Sequence, residues 1–305
     1  MTDADRPEDL LRERTAARAS GDFARADALR DELRAIGWEV QDTPRGSVLR
    51  PVLPEAPVAT GYARPEDLAS LLDEAPSVDA SLLVVADEHG EDLARFLDGF
   101  AAHRPSASWE LIVVANAPSY DAAALLPSDG TLLPTTERLG WADAVNLGLR
   151  RSRGTVAILL DTSVEPTGDF VTPLLAAFED PRVGIAGGWG VVTDNGRQFT
   201  DAPAGPVHAV EGYCLAVRRE ALRAIGGGFD SHFRFYRNAD LDLSFAVRDA
   251  GWRSVAVDLP LERHEHRGWT SLPEAERDRL SKRNFYRFLK HWGDRRDLLT
   301  PVERP

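Results

Sequence analysis

Three short apolar runs, each closed by a polar or small residue and separated by helix-forming sequence, constrain this chain more than anything else in it. They occupy residues 81–85, 111–114 and 156–160. Runs this short, without polar alternation, suit strands buried on both faces. Leu93, Phe96, Leu97 and Phe100 recur between the first two at helical spacing, and 142–151 reads as a helix before the third. Strand–helix alternation on this scale implies an α/β fold with a mainly parallel sheet. Ligands bind such sheets beyond the carboxyl ends of the strands, so the residues just after each run matter most for function.

Asp161-Thr162-Ser163-Val164-Glu165 leaves the third run and Ala115-Asn116 the second. An acid at a strand end either caps the next turn or holds a cation that binds phosphates. Asp240 and Asp242 open a later helix that continues through Phe245 and Val247 to Ala250. Carboxylates at a helix start can cap it and meet its dipole, a role that suits Asp242. Asp240 is instead placed to face a ligand crevice and accept a proton.

The first 50 residues form a separate pattern. Leu10, Leu11 and Ala17 fit one helix face, broken at Ser20-Gly21-Asp22; Phe23, Ala26, Leu29, Leu33 and Ile36 fit a second, with Gly37 as its C-cap. A short hairpin is expected over 40–49, turning at 42–46. Prolines 51, 54, 57, 65 and 76 mark residues 51–78 as a semi-rigid linker, with a short helix over 65–72. Residues 79–305 then form the large domain.

Charge and composition remove several function classes. The 36 basic and 49 acidic residues give a net charge of −13, which argues against an electrostatic binder of nucleic acid or anionic membrane. A single cysteine, Cys214, excludes an internal disulfide framework and a cysteine-based zinc cluster. Lys282 and Lys290 are the only lysines and neither follows a glycine-rich loop, so P-loop chemistry is out. No apolar run approaches the roughly 18 residues of a membrane span. The polar opening Met1-Thr2-Asp3-Ala4-Asp5 is unlike a secretory signal, which leads to the expectation of a cytoplasmic protein.

Two resemblances follow from quoted segments. Asp22-Phe23-Ala24-Arg25-Ala26-Asp27, Leu29-Arg30-Asp31-Glu32-Leu33 and Glu39-Val40-Gln41-Asp42-Thr43-Pro44-Arg45-Gly46 resemble the C-terminal tail domain of cysteinyl-tRNA synthetases, where the segment supports tRNA contact. A helical hairpin reused for packing or interaction is the plainer reading.

Over about residues 80–292 the chain resembles the family 2 glycosyltransferases. The segments are Arg138 to Gly148, Leu160-Asp161-Thr162-Ser163, Glu211 to Arg219 with Ile225-Gly226-Gly227 and Phe229-Asp230, Ala239-Asp240-Leu241-Asp242-Leu243, Arg263 to Gly268, and Lys282 to His291. The resemblance implies a GT-A fold, a Rossmann-like and mostly parallel α/β sheet for nucleotide-diphospho-sugars, preceded here by the small helical hairpin domain. It implies inverting transfer from a nucleotide-diphosphate sugar to an acceptor hydroxyl, with Asp240 as general base. Donor binding falls to Asn116, Gly140, Asn146 and Asp161, and the acceptor side to Gly212 and Tyr213. Asp161, Ser163, His264 and His266 would hold the diphosphate and a divalent cation, Mn or Mg, with Arg263 and Arg267 as further positive groups. Trp141 is either core or nucleotide pocket.

Departures from the family pattern bear on that picture. Ser163 replaces the second acid of D-x-D, Ala239 the glutamate before the base, and Ala115 an acid of the base-binding loop. One lost acid weakens a metal site, and Ser163→Asp is expected to strengthen it. The alternative function is a catalytically degenerate GT-A protein that binds nucleotide sugars or acts as a scaffold. An RNA-associated protein led by the N-terminal segment ranks third. The pattern names neither sugar, nucleotide, acceptor nor oligomeric state.

Overall fold

The structure is a computed structural model that describes residues 6–36, 38–43, 46–51 and 61–299. The chain divides into two compact units, residues 1–59 and 60–305.

In the first unit, α1 (Arg6–Ala19) and α2 (Phe23–Ala35) form a helical hairpin, followed by an antiparallel pair, β1 (Trp38–Thr43) and β2 (Gly46–Pro51). Gly21 makes the reversal at φ 79°, where glycine carries no steric penalty. Asp22 caps α2 by accepting from the Arg25 N–H. Ala26, Leu29 and Leu33 are buried as their spacing predicts, but Phe23 is 63% exposed and Ile36 36%. Those two lie at the helix ends, where the apolar face runs out of partners. The strands run longer than the expected 40–49 hairpin. Its tip at Pro44-Arg45, the Gly37 cap and residues 52–60 lie outside the described residues.

The second unit begins inside the stretch read as a linker. Tyr62 bridges Thr135, and only 65–67 form a short 3-10 turn. Leu72 is 5% exposed in the core, and the buried Arg219 guanidinium donates to the carbonyls of Leu71 and Glu74. An apolar anchor and a buried cation thus hold residues that proline spacing alone marks as extended.

There follow β3 (Val78–Ala86), α3 (Gly90–Ala102), β4 (Trp109–Ala115), β5 (Gly130–Pro134), α4 (Trp141–Arg151), β6 (Gly154–Leu160), β7 (Val164–Pro166), α5 (Val171–Ala177) and β8 (Val183–Gly187). Next come β9 (Gly190–Val192), β10 (Thr200–Ala202), β11 (Gly205–Val207), β12 (Ala209–Val210), β13 (Cys214–Arg218), α6 (Arg219–Ala224) and α7 (Ala239–Asp249). The chain closes with β14 (Arg253–Ala256), β15 (Leu261–Arg263), α8 (Arg267–Thr270) and α9 (Glu274–Trp292).

Eight strands form one sheet in the order β11-β14-β8-β13-β6-β3-β4-β5. The β3–β4, β3–β6, β4–β5 and β8–β14 pairs are parallel, while β13 runs antiparallel between β6 and β8. Alternate residues of β3 serve opposite faces: Leu83 packs with α4, α6 and α7, and Leu82 and Val84 pack with α3 and α5. Gly148 lets α4 lie against β3, since a Cβ there would meet Leu83 Cδ1 at 2.0 Å. A third cluster, with Phe245 and Phe288, seats α9 on α7.

Candidate active site

Three consecutive strand ends and one returning helix build the cleft. Ala86, Ala115 and Leu160 close β3, β4 and β6 side by side, so Asn116 and Asp161 emerge along one edge of the sheet. The turn before β13 brings Gly212 and Tyr213 to the same edge, because Asp161 N–H bonds to the Tyr213 carbonyl at 3.0 Å. Asn238, in the left-handed region at φ 65°, turns the chain into α7 and delivers Asp240. Asparagine tolerates that conformation better than most side chains.

Two cavities adjoin at this edge, of about 310 and 370 Å³, and share Trp141, Asp161, Gly212, Tyr236 and His266 as a common wall. One lobe holds Asp240, Glu211, Tyr213 and Arg237; the other holds Asn116, Ser163, Arg138, Arg234 and Arg267.

Asp240 sits at the first turn of α7 and accepts from the Gly212 N–H (2.9 Å) and its neighbour Leu241 N–H (2.9 Å). Burial pushes its carboxyl above the ordinary aspartate range, against those hydrogen bonds and the nearby Arg237 charge. Glu211 is raised as well, first by burial and then by Asp240. Its carboxylate lies 3.6 Å from Arg263, whose guanidinium is stacked 4.9 Å from both the Trp189 and Tyr213 rings.

Asp161 stands at the junction. Its Oδ1 accepts from the Ser163 N–H (2.8 Å) and hydroxyl, and its Oδ2 lies 3.3 Å from His266 Nε2. Burial works against its ionisation, yet the His266 and Ser163 contacts prevail and hold the carboxyl below its usual range. His266 is pulled down by burial and up more strongly by Asp161, for a net rise. Its ring stacks on Tyr236 at 4.4 Å, and Nδ1 accepts from the Trp269 N–H (3.2 Å) as the cap of α8.

Several expected site residues sit elsewhere or act differently. Ser163 is 2% exposed and spends its hydroxyl on Asp161. His264 does not line the cleft; its Nε2 pairs with Glu165 at 2.7 Å. Asn146 faces away from both lobes, clamping Phe229 through its N–H and carbonyl, each at 2.8 Å. Gly228 makes room for that clamp, since a Cβ would meet Asn146 Oδ1 at 2.2 Å. Gly140 is the N-cap of α4 against Arg234. Asn116 lines the second lobe, with its amide locked to Leu139 N–H (2.8 Å) and carbonyl (3.3 Å). Trp141 is both wall and packing, edge-on to Phe229 at 5.0 Å.

Asp242 caps nothing. It accepts from His291 Nδ1 (3.0 Å) and Trp292 Nε1 (2.8 Å), so the second acid of the motif anchors α9. Asp230, Asp242 and His291 are the one group of three or more potential metal ligands in reach of one another among the described residues. Arg287 donates to Asp230 at 2.5 Å, which already neutralises that acid. Sequence reasoning gave no wall role to Glu211, Arg234, Tyr236 or Arg237. Glu211 opens the quoted Glu211 to Arg219 segment, and the other three lie between assigned segments.

Comparison with known proteins agrees with this architecture. Residues 81–241 match the family model for glycosyl transferase family 2, and residues 4–48 match that for the cysteinyl-tRNA ligase anticodon binding domain. A structure titled as GalNAc-T7 with UDP, GalNAc and Mn2+ superposes with a TM-score of 0.59 at 17% identity, over 74% of this chain and 50% of its own. Cysteine–tRNA ligases of Nitratidesulfovibrio vulgaris (strain DP4) and Salinibacter ruber (strain DSM 13855 / M31) are 67% and 63% identical over 39 and 38 residues. Those stretches are 13% and 12% of this chain, which spans only 8% and 7% of the ligases. The N-terminal likeness therefore concerns a tail module and none of the rest of a ligase. With the family match covering more than half of its length, on a sheet of GT-A form, the chain belongs to glycosyl transferase family 2.

Proposed function

We propose that the protein is an inverting glycosyltransferase that uses a nucleotide-diphosphate sugar and Asp240 as general base. The observation that carries this reading is the position of Asp240, in the lobe that adjoins the strand-end lobe through Asp161. The donor's nucleotide fits the lobe of Asn116 and Leu139, and the acceptor the lobe of Asp240, Glu211 and Tyr213. The acceptor oxygen attacks the anomeric carbon; a new C–O bond forms as the bond to the diphosphate breaks and its electron pair leaves with the phosphate. The acceptor proton passes to the Asp240 carboxylate, help worth about 10²–10⁴-fold in rate. A raised carboxyl pKa makes Asp240 a stronger base than a solvated aspartate.

The Mn2+ of the GalNAc-T7 structure makes a divalent cation the first group to test at Asp161. The donor set here does not fit a dedicated cation site. Asp161 Oδ1 is saturated by Ser163, Oδ2 faces His266, and His264 is committed to Glu165.

Incubation with a panel of UDP- and GDP-sugars, read by nucleoside diphosphate release, tests the proposal. Release in the wild type and its loss in Asp240→Asn support it. Nucleotide-sugar binding without turnover in both proteins favours the scaffold reading, for which Ala115, Ser163 and Ala239 speak.

A further inference from the structure

The wall shared by the two lobes lacks a built cation site but carries unclaimed positive charge. Arg138 is engaged by Asp87 and Glu88, Arg267 by Glu91 and Asp92, and Arg263 by Glu211. Arg234 and Arg237 differ: neither has an acidic partner among the described residues, and both are exposed. Arg234 lines the strand-end lobe and Arg237 the Asp240 lobe, three residues apart on the loop that enters α7. Arg237 is held in place by stacking on Trp269, at 5.2 Å from the ring centre. The Arg234 backbone is fixed as well, because its carbonyl accepts from the Trp141 N–H at 3.0 Å.

His266 adds a third donor. Since Nδ1 accepts from the Trp269 N–H, the neutral ring carries its proton on Nε2. That N–H is buried and reaches Asp161 Oδ2 only at 3.3 Å, without the alignment of a hydrogen bond. The Nε2–H faces the Asp161 carboxylate at the junction of the two lobes, where an incoming phosphate oxygen would share it.

We infer that the donor's diphosphate is held, and its leaving charge taken up, by Arg234, Arg237 and the Nε2–H of His266 instead of a divalent cation. The inference rests on the proposed nucleotide-sugar reading. Charge-assisted hydrogen bonds from guanidinium groups to phosphate are well suited to this task.

Calorimetric titration with UDP and GDP, in EDTA and then in manganese, tests it on the full chain. The expected result is equal affinity in both conditions. Arg234→Ala and Arg237→Ala should each weaken the better-bound diphosphate about tenfold, with no change for the matching nucleoside. Both side chains are exposed, so the variants keep the fold, and Arg→Lys at each position should recover part of the loss. Affinity that rises tenfold or more with manganese overturns the inference while leaving the glycosyltransferase reading intact, and so does wild-type diphosphate affinity in both alanine variants. Absence of binding by either diphosphate under both conditions overturns that reading and the inference together.

Discussion

At the scale of single residues, Asp240 and Ser163 carry the most testable chemistry. Burial raises the Asp240 carboxyl, so the folded chain holds that proton more tightly than the unfolded chain does. The cost of its ionisation is therefore absent below the unfolded pKa of about 4 and is fully present at neutral pH. Asp240→Asn should then raise Tm at pH 7, lose that advantage as pH falls to about 4, and abolish transfer throughout. Parallel thermal melts and donor-turnover assays check all three. The acid limb of the wild-type rate profile should lie above the ordinary aspartate range, since the base must be ionised. Ser163→Asp would set a second carboxylate against Asp161 Oδ1 at a position only 2% exposed. The expectation that it builds a cation site gives way to one of like-charge repulsion in a buried place. Its Tm deficit should widen as pH rises above about 4, and calorimetry should show no gain in manganese affinity.

At the scale of elements, α9 acts as a brace for the loop that carries the wall. Asn284, 1% exposed, donates to the carbonyls of Phe235 (2.7 Å) and Arg237 (2.8 Å), and Asp242 holds the far end of the helix. Asn284→Ala takes the amide donor from two part-buried carbonyls and should cost about 1–3 kcal/mol by denaturant unfolding. It should also lower turnover more than Asn284→Gln does, because Tyr236 and Arg237 lie on the freed loop. Equal turnover in both variants would remove the brace from function. In the sequence this helix showed only as the Lys282 to His291 segment of the family resemblance, and the partner of Asp242 did not show at all: an acid at a helix start satisfies a capping rule as well as a distant indole.

At the scale of the whole molecule, two units each close their own ladders and cores. The first pairs β1 with β2 beneath Leu29 and Leu33; the second wraps helices on both faces of an eight-stranded sheet. Deleting residues 1–59 should therefore leave residues 60–305 with a cooperative melt at an unchanged Tm. A collapsed or broadened transition would show that the second unit depends on the first. Cutting at residue 78 instead should destabilise the protein, because Leu72 and the carbonyls that Arg219 binds would be lost.

The sequence by itself determined the α/β class, the parallel run of β3, β4 and β6, the sheet edge at which the cleft lies, and Asp161 and Asp240 as acids on its wall. Those features follow from local periodicity and from topology rules that hold wherever strands and helices alternate. Tertiary structure alone decided which matching residues face the cleft. Asn146 and His264 carry family spacing yet spend their polar groups on Phe229 and Glu165. Arg234 and Arg237 carry no such signal yet stand on the wall without an acidic partner among the described residues. The physical reason is that a polar side chain's role is set by which partner satisfies it. That partner here lies tens of residues away, and in the case of His264 and Glu165 it is 99 positions distant. No local pattern encodes such a pairing until the sheet has brought the two segments together.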